Sequence, residues 1–236
     1  MSVPFLHTND FHGRLTPELA DAIRARKEAL GALYVDCGDC IKTGNLGIPL
    51  RREEAWENLA RAGCDVGTIG NRETHILTKV FEAKIEGHQH PLLVANLRAK
   101  HGPPPLPSTL VVEHTGIQIG FFGMMVPMVT ERMKTQAASA FLWDSPIETA
   151  RQIVPELRKT CDLVVALTHI GHRQDRLLAE TVAGIDIIFG AHSHTVLESP
   201  ERVGNTWIAQ GGSHGRFYGE YVWDKALTGH LVRLSG

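Results

Sequence analysis

The chain of 236 residues carries 24 lysines and arginines against 26 aspartates and glutamates, a net charge of -2 at pH 7, so no overall positive field draws it to nucleic acid or anionic lipid. No window approaches the roughly 18 apolar residues that cross a bilayer, and the four cysteines, Cys37, Cys40, Cys64 and Cys161, are too few for a disulfide scaffold. The first residues enter a strand pattern with no basic stretch and long apolar run before it, so the expectation is a soluble cytoplasmic protein with one α/β domain spanning 1–236.

A strand in "VPFLHTND" leads to a helix from Thr16 to Leu30, a strand in "ALYVDCGD", a helix through Trp56 and Leu59, and a strand in "VGTIGN". A helix near Ile76 to Ile85 and a strand "LLVANL" continue the alternation, and "HGPPPLP" after Ala99 reads as a stiff surface loop. "TLVVEHTGIQIGFFGMM" then alternates as an antiparallel hairpin around "HTG". Ser145 before Pro146, with Glu148 three residues on, is a capping box that starts a helix running to Lys159. Strand "DLVVALTH", a helix from Asp175 to Val182, strand "DIIFGAH" and a second hairpin around "LTG" in "FYGEYVWDKALTGHLVRL" complete the chain. The βαβ rhythm predicts a partly parallel sheet, the hairpins make it mixed, and the expected architecture is two sheets face to face with helices outside.

Ligands of open α/β sheets bind beyond the carboxyl ends of the strands. Here those ends read "NDFH" (Asp10, His12), "DCGD" (Asp36, Asp39), "GN" (Asn71), "THIGH" (His169, His172) and "AHSH" (His192, His194). Any one of these alone is an ordinary solvated loop. Five of them on adjacent elements, carrying only oxygen and nitrogen donors, supply seven plausible ligands, a number that suits two metal ions better than one. Two divalent ions need a shared carboxylate, and Asp39 is the natural bridge. Carboxylate, imidazole and carboxamide without thiolate point to Mn, Fe, Co, Ni or Zn in a working site rather than to a structural zinc. The CxxC of "DCGDC" reads as two buried thiols, because an irregular loop follows it instead of the helix of a redox pair.

In order and spacing, "LHTNDFHG", "DCGD", "GNRE", "THIG" and "GAHSH" resemble the D-x-H, G-D, G-N-H-[DE], H and G-H-x-H blocks of the calcineurin-like metallophosphoesterases, nearest to the 5'-nucleotidase and 2',3'-cyclic phosphodiesterase branch. The likeness runs from Leu6 to about Tyr221. It implies an α/β fold, a four-layer α/β/β/α sandwich with two mixed β-sheets, and a dinuclear site. Asp10, His12, Asp39 and His194 would hold one ion, and Asp39, Asn71, His169 and His192 the other. Manganese is expected first, with iron, zinc, nickel or cobalt as alternatives.

Three departures qualify the resemblance. Ala191 replaces the glycine of G-H-x-H, and the sequence stops after "LVRLSG" without the second domain that grips the base in longer nucleotidases. Arg72 stands where the family has the G-N-H histidine that is thought to protonate the leaving oxygen. Arginine keeps its proton, so Arg72 is expected to bind phosphoryl oxygens rather than act as an acid. The resemblance therefore implies a metal-dependent phosphodiesterase or phosphatase favouring good leaving groups, with small phosphoesters, nucleotides among them, as substrates. Arg72, Asn71 and His75 are the candidate catalytic residues. His75 would serve as the acid if its segment were helical, with His214 a weaker candidate. The rival readings are a metal-binding scaffold or interaction module of the same fold and, last, another two-metal hydrolase. Oligomeric state is not legible.

Overall fold

A computed structural model describes residues 2–234. The first half alternates β1 (Val3–Thr8), α1 (Pro17–Leu30), β2 (Leu33–Asp36), α2 (Glu54–Ala62), β3 (Val66–Thr68), α3 (Thr78–Ile85) and β4 (Leu92–Leu93). After β5 (Leu97–Ala99) come the hairpin of β6 (Thr109–His114) and β7 (Ile117–Met125), then β8 (Phe141–Trp143), α4 (Pro146–Leu157), β9 (Leu163–His169), α5 (His172–Thr181) and β10 (Ile187–Gly190). β11 (Glu201–Val203) and β12 (Thr206–Gln210) precede a last hairpin, β13 (Phe217–Trp223) and β14 (Leu227–Arg233).

Two six-stranded sheets result, ordered β14-β13-β1-β2-β3-β4 and β11-β12-β10-β9-β7-β6, with a separate β5-β8 pair. Both are mixed. β1 runs parallel to β2 and antiparallel to β13, while β9 runs parallel to β7 and β10, and β6 antiparallel to β7. The layers follow from the two-residue period of a strand, which sends neighbouring side chains to opposite faces. Phe5, Val35, Phe121, Val165 and Phe189 meet between the sheets. Their neighbours Leu6 and Tyr34 turn outward onto Ile23 of α1 and Trp56 and Leu59 of α2. On the far side, Phe122, Val164 and Ile188 pack under Val154 of α4 and Leu178 of α5. The order is thus helices, sheet, sheet, helices, the four-layer sandwich expected.

Local signals set several helix starts. The Thr16 side chain accepts from Leu19 N–H ahead of Pro17, and the Ser145 side chain accepts from Glu148 N–H ahead of Pro146. Elsewhere the structure corrects the sequence reading. "LLVANL" is not one strand but β4 and β5, in different sheets, because Asn96 is buried between them, donating to Met125 O and accepting from Met125 N–H. The helix expected over Asp175 to Val182 begins at His172, after Gly171 at φ 88°. The last hairpin turns at Asp224–Ala226 and not at "LTG": Gly229 lies inside β14 opposite Tyr221, where a Cβ would stand 2.0 Å from Glu220 O. β8, β11 and β12 have no counterpart in the sequence reading. No helix among the described residues is long and apolar enough to cross a membrane.

Candidate metal centre

The parallel strands β1, β2, β3, β9 and β10 all end at one edge of the sandwich, and the backbone there is strained. Among the described residues, eight non-glycine residues have positive φ; Thr115 and Lys225 lie in the hairpin turns, and the other six are Asp10, His12, Asp39, His192, His194 and His214. A side chain in that region costs on the order of 1–3 kcal/mol, so the fold holds these six against their own preference.

The strain brings donors together. His12 Nε2 lies 3.4 Å from Asp10 Oδ1 and 3.4 Å from Asp39 Oδ2. His169 Nε2 lies 3.6 Å from Asp39 Oδ1 and 4.0 Å from Asp10 Oδ1, and His194 Nε2 lies 3.3 Å from Asp10 Oδ1. His192 Nδ1 is 2.9 Å from Asn71 Oδ1, and its ring meets that of His169 edge-on at 5.1 Å. Seven of the nine side chains named from the strand ends, Asp10, His12, Asp39, Asn71, His169, His192 and His194, therefore line one cleft. Two sets of three donors fall within 4.8 Å of one another, Asp10 with His12 and His194, and Asp10 with Asp39 and His169. Asp10 is common to both sets, whereas the resemblance makes Asp39 the shared carboxylate; Asp39 is no less central, since its two oxygens face His12 and His169.

Three atoms of this set, Asp10 Oδ1, His12 Nε2 and His169 Nε2, are buried without a hydrogen-bond partner. Orphaned polar atoms are costly inside a protein, and here they converge on one space. Electrostatics agrees. Burial would raise Asp39, yet His169 and His12 hold its carboxyl well below the usual range; Asp10 is held low against the same burial by His12, His169 and the Asn9 amide. Burial would lower His169, yet Asp39 and Asp10 push it up to about 10. The carboxylates create a field that draws positive charge to this point, and the donor set fits divalent cations.

Surrounding groups aim the donors. His169 Nδ1 lies 2.8 Å from Cys37 O, just past the end of β2 in the facing sheet, which turns Nε2 into the cleft. Asn9 donates to Asp10 Oδ2 and Gly212 O, and His192 N–H also donates to Asp10 Oδ2, leaving Oδ1 free. Gln210 Oε1 accepts from Ser193 Oγ and Thr195 N–H, and its amide donates to buried Asp175, so the histidine loop is braced from beneath. Gly70 is required by space: a Cβ there would stand 2.2 Å from Asp39 Oδ1.

Glu73, which the sequence of "GNRE" leaves without a role, has one. Fully buried, its carboxylate accepts from Asp39, Gly70 and Ile41 N–H. A glutamate three residues after a glycine is also a common loop residue, so only the folded contacts reveal this. His214, the weaker of the two acid candidates, sits closer to the donors than His75: its N–H donates to Asp10 O and its ring lies 4.7 Å from that of His12 and 5.6 Å from that of His194.

Other candidates fall outside the cleft. Asp36 is buried beneath it, accepting from Thr8 Oγ1 and Gly38 N–H. His172 Nε2 lies 2.6 Å from Glu201 Oε2 at the start of α5. His75 precedes α3 in an irregular segment, and its Nδ1 accepts from Leu77 N–H, so the helical condition for its acid role fails. Arg72 is at the rim: its N–H donates to Asp39 Oδ1 at 2.7 Å, its Nη1 donates to Lys42 O, and its Nε is 4.0 Å from Asp39 Oδ2.

A family model for calcineurin-like phosphoesterases matches residues 3–196. The uncharacterized metallophosphoesterase YunD of Bacillus subtilis is 28% identical over 227 residues, covering 90% of this chain and 48% of that protein. A 2',3'-cyclic-nucleotide 2'-phosphodiesterase/3'-nucleotidase of Yersinia enterocolitica is 28% identical over 221 residues, 81% of this chain and 34% of its own length. The crystal structure of the 5'-nucleotidase precursor from Thermus thermophilus superposes with a TM-score of 0.83 at 21% identity, over 99% of this chain and 55% of that one, a likeness of fold. The chain spans about half or less of the length of the curated relatives it matches.

Proposed function

The chain belongs to the calcineurin-like phosphoesterase family, and from that premise we propose that it is a divalent-metal-dependent phosphoester hydrolase acting on phosphodiesters or on monoesters with acidic leaving groups, nucleotides among them. The observation that carries the reading is the convergence of buried, partnerless Asp10 Oδ1, His12 Nε2 and His169 Nε2 on one space. In this reading Asp10, His12 and His194 hold one ion, Asn71, His169 and His192 a second, and Asp39 lies between. Manganese is the first candidate, with iron, zinc, nickel and cobalt as alternatives. Such ions, when bound, lower the pKa of water and neutralise charge on phosphoryl oxygens.

The chain's own groups do the rest. Arg72, anchored at Lys42 O beside Asp39, offers its remaining N–H groups to phosphoryl oxygens and steadies the charge that grows on them. It retains its proton throughout, so the leaving oxygen gains none from this position, and the preference for acidic leaving groups follows. Asn71 and the histidines of "AHSH" line the same cleft. A scaffold of the same fold would have no use for strained, partnerless donors. A reducing, cytoplasmic setting is part of this reading and is consistent with four free cysteines. The test is hydrolysis of bis-p-nitrophenyl phosphate and of p-nitrophenyl phosphate with added manganese. Turnover, greater for the diester, is expected; no turnover of either by protein carrying two ions would overturn the reading.

A further inference from the structure

Behind the loop that carries Asn71 lies a second buried polar arrangement. Lys84, fully buried on the last turn of α3, donates from Nζ to four main-chain carbonyls, Arg72 O at 2.7 Å, Gly44 O and Asn45 O at 2.9 Å, and Thr74 O at 3.0 Å. An ammonium has only three protons, so the carbonyls share them as they would share a small cation. Two of the four belong to the loop after β2 and two to the loop after β3. Burial draws Lys84 down to about 8, which leaves it charged at neutral pH.

The tied loop presents one side chain to the cleft. Asn45 Oδ1 accepts from Asn71 Nδ2 at 2.7 Å. A carboxamide has two unlike ends, and only its oxygen can hold a cation. With the nitrogen end of Asn71 taken by Asn45, the oxygen end faces His192 and the donor cluster. Nothing in the chemistry of Asn71 alone selects that orientation.

We propose that Asn45 is a positioning residue, held in place by Lys84, which fixes the Asn71 carboxamide oxygen-inward and thereby sets the affinity of the second cation. The inference rests on the reading of Asn71 as a ligand. Asn45 is exposed, so its substitution leaves the fold intact. The experiment titrates the chelator-stripped full chain with Mn(II), reading stoichiometry and affinity by calorimetry and the paired-ion signal by electron paramagnetic resonance.

The parent is expected to take up two ions. Asn45→Ala is expected to bind the first as the parent does and the second ~10–100-fold more weakly, with the paired-ion signal lost at matched loading. Asn45→Asp keeps the acceptor oxygen and is expected to bind two. Lys84→Met should follow Asn45→Ala, and the Asn45 pair decides the matter if that protein does not fold. An Asn45→Ala protein that titrates like the parent, or an Asn45→Asp protein as weak as Asn45→Ala, overturns the inference while leaving the metal reading standing. A parent that binds no Mn(II) overturns both.

Discussion

Glu73 Oε2 accepts the N–H of Asp39 at 2.8 Å and, at the same distance, the N–H of Gly70, so one buried carboxylate holds together two loops that arrive from different strands. Replacement by glutamine leaves one acceptor oxygen and sets an NH2 group against a backbone donor. The loss is expected to be about 1–3 kcal/mol of stability for Glu73→Gln and more for Glu73→Ala, read from urea denaturation. A Glu73→Gln protein as stable as the parent would show that the contact is incidental.

Arg72 carries the chemical prediction. If its fixed proton is what disfavours poor leaving groups, Arg72→His restores a group able to release one. Turnover of an alkyl phosphomonoester is then expected to rise at least about tenfold against that of bis-p-nitrophenyl phosphate, since a positioned acid contributes ~10²–10⁴. Arg72→Ala should lower both rates by weakening phosphoryl binding. An unchanged ratio in Arg72→His would remove the leaving-group argument.

A pH dependence of folding is expected from His90. It is buried, both ring nitrogens lack partners, and burial pulls it down from 6.5 to about 4. The unfolded chain therefore binds this proton first, so the contribution present above pH 6.5 is lost as pH falls toward 4. Asp36 and Asp175, both pushed up by burial from 3.8 to about 7, act with the opposite sign, stabilising less as pH rises through that range. The difference between His90→Leu and parent isolates the histidine. Their stability gap should widen in favour of His90→Leu by on the order of 3 kcal/mol between pH 7 and pH 4, and a gap independent of pH would refute the assignment.

The two thiols of "DCGDC" are expected to be inert. Cys37 Sγ donates to Phe189 O and Cys40 Sγ to Glu73 Oε1, both are fully buried, and burial raises both thiols well above their ordinary range. Native protein treated with iodoacetamide should leave them unmodified, and denatured protein should not. Alkylation of either in the native state, or a disulfide between them, would revive the redox reading of that motif.

How much of this was legible follows from where each signal sits. A donor that ends an apolar run, such as His169 after "LVVALT" or His192 after "IIFGA", announces itself along the chain, because the strand fixes its position and direction. The layer order was legible for the same reason, in pairs such as Phe121 and Phe122 that must face opposite ways. Glu73, Lys84 and Asn45 were not, since their roles are contacts between segments 10 to 40 residues apart that no local pattern encodes. Asp36 and Asp39 look alike in "DCGD", yet Asp36 is the last residue of β2 and only Asp39 lies past the turn. β8 and β11, three residues each, are too short for any period to emerge.

The central claim is that Asp10, His12, Asp39, Asn71, His169, His192 and His194 enclose a pair of cations. Anomalous diffraction from crystals of the full chain soaked in manganese measures this without reference to activity. Two peaks about 4 Å apart within the cleft, on either side of Asp39, are the expected result. No peak there, or manganese bound only elsewhere on the molecule, would contradict the account.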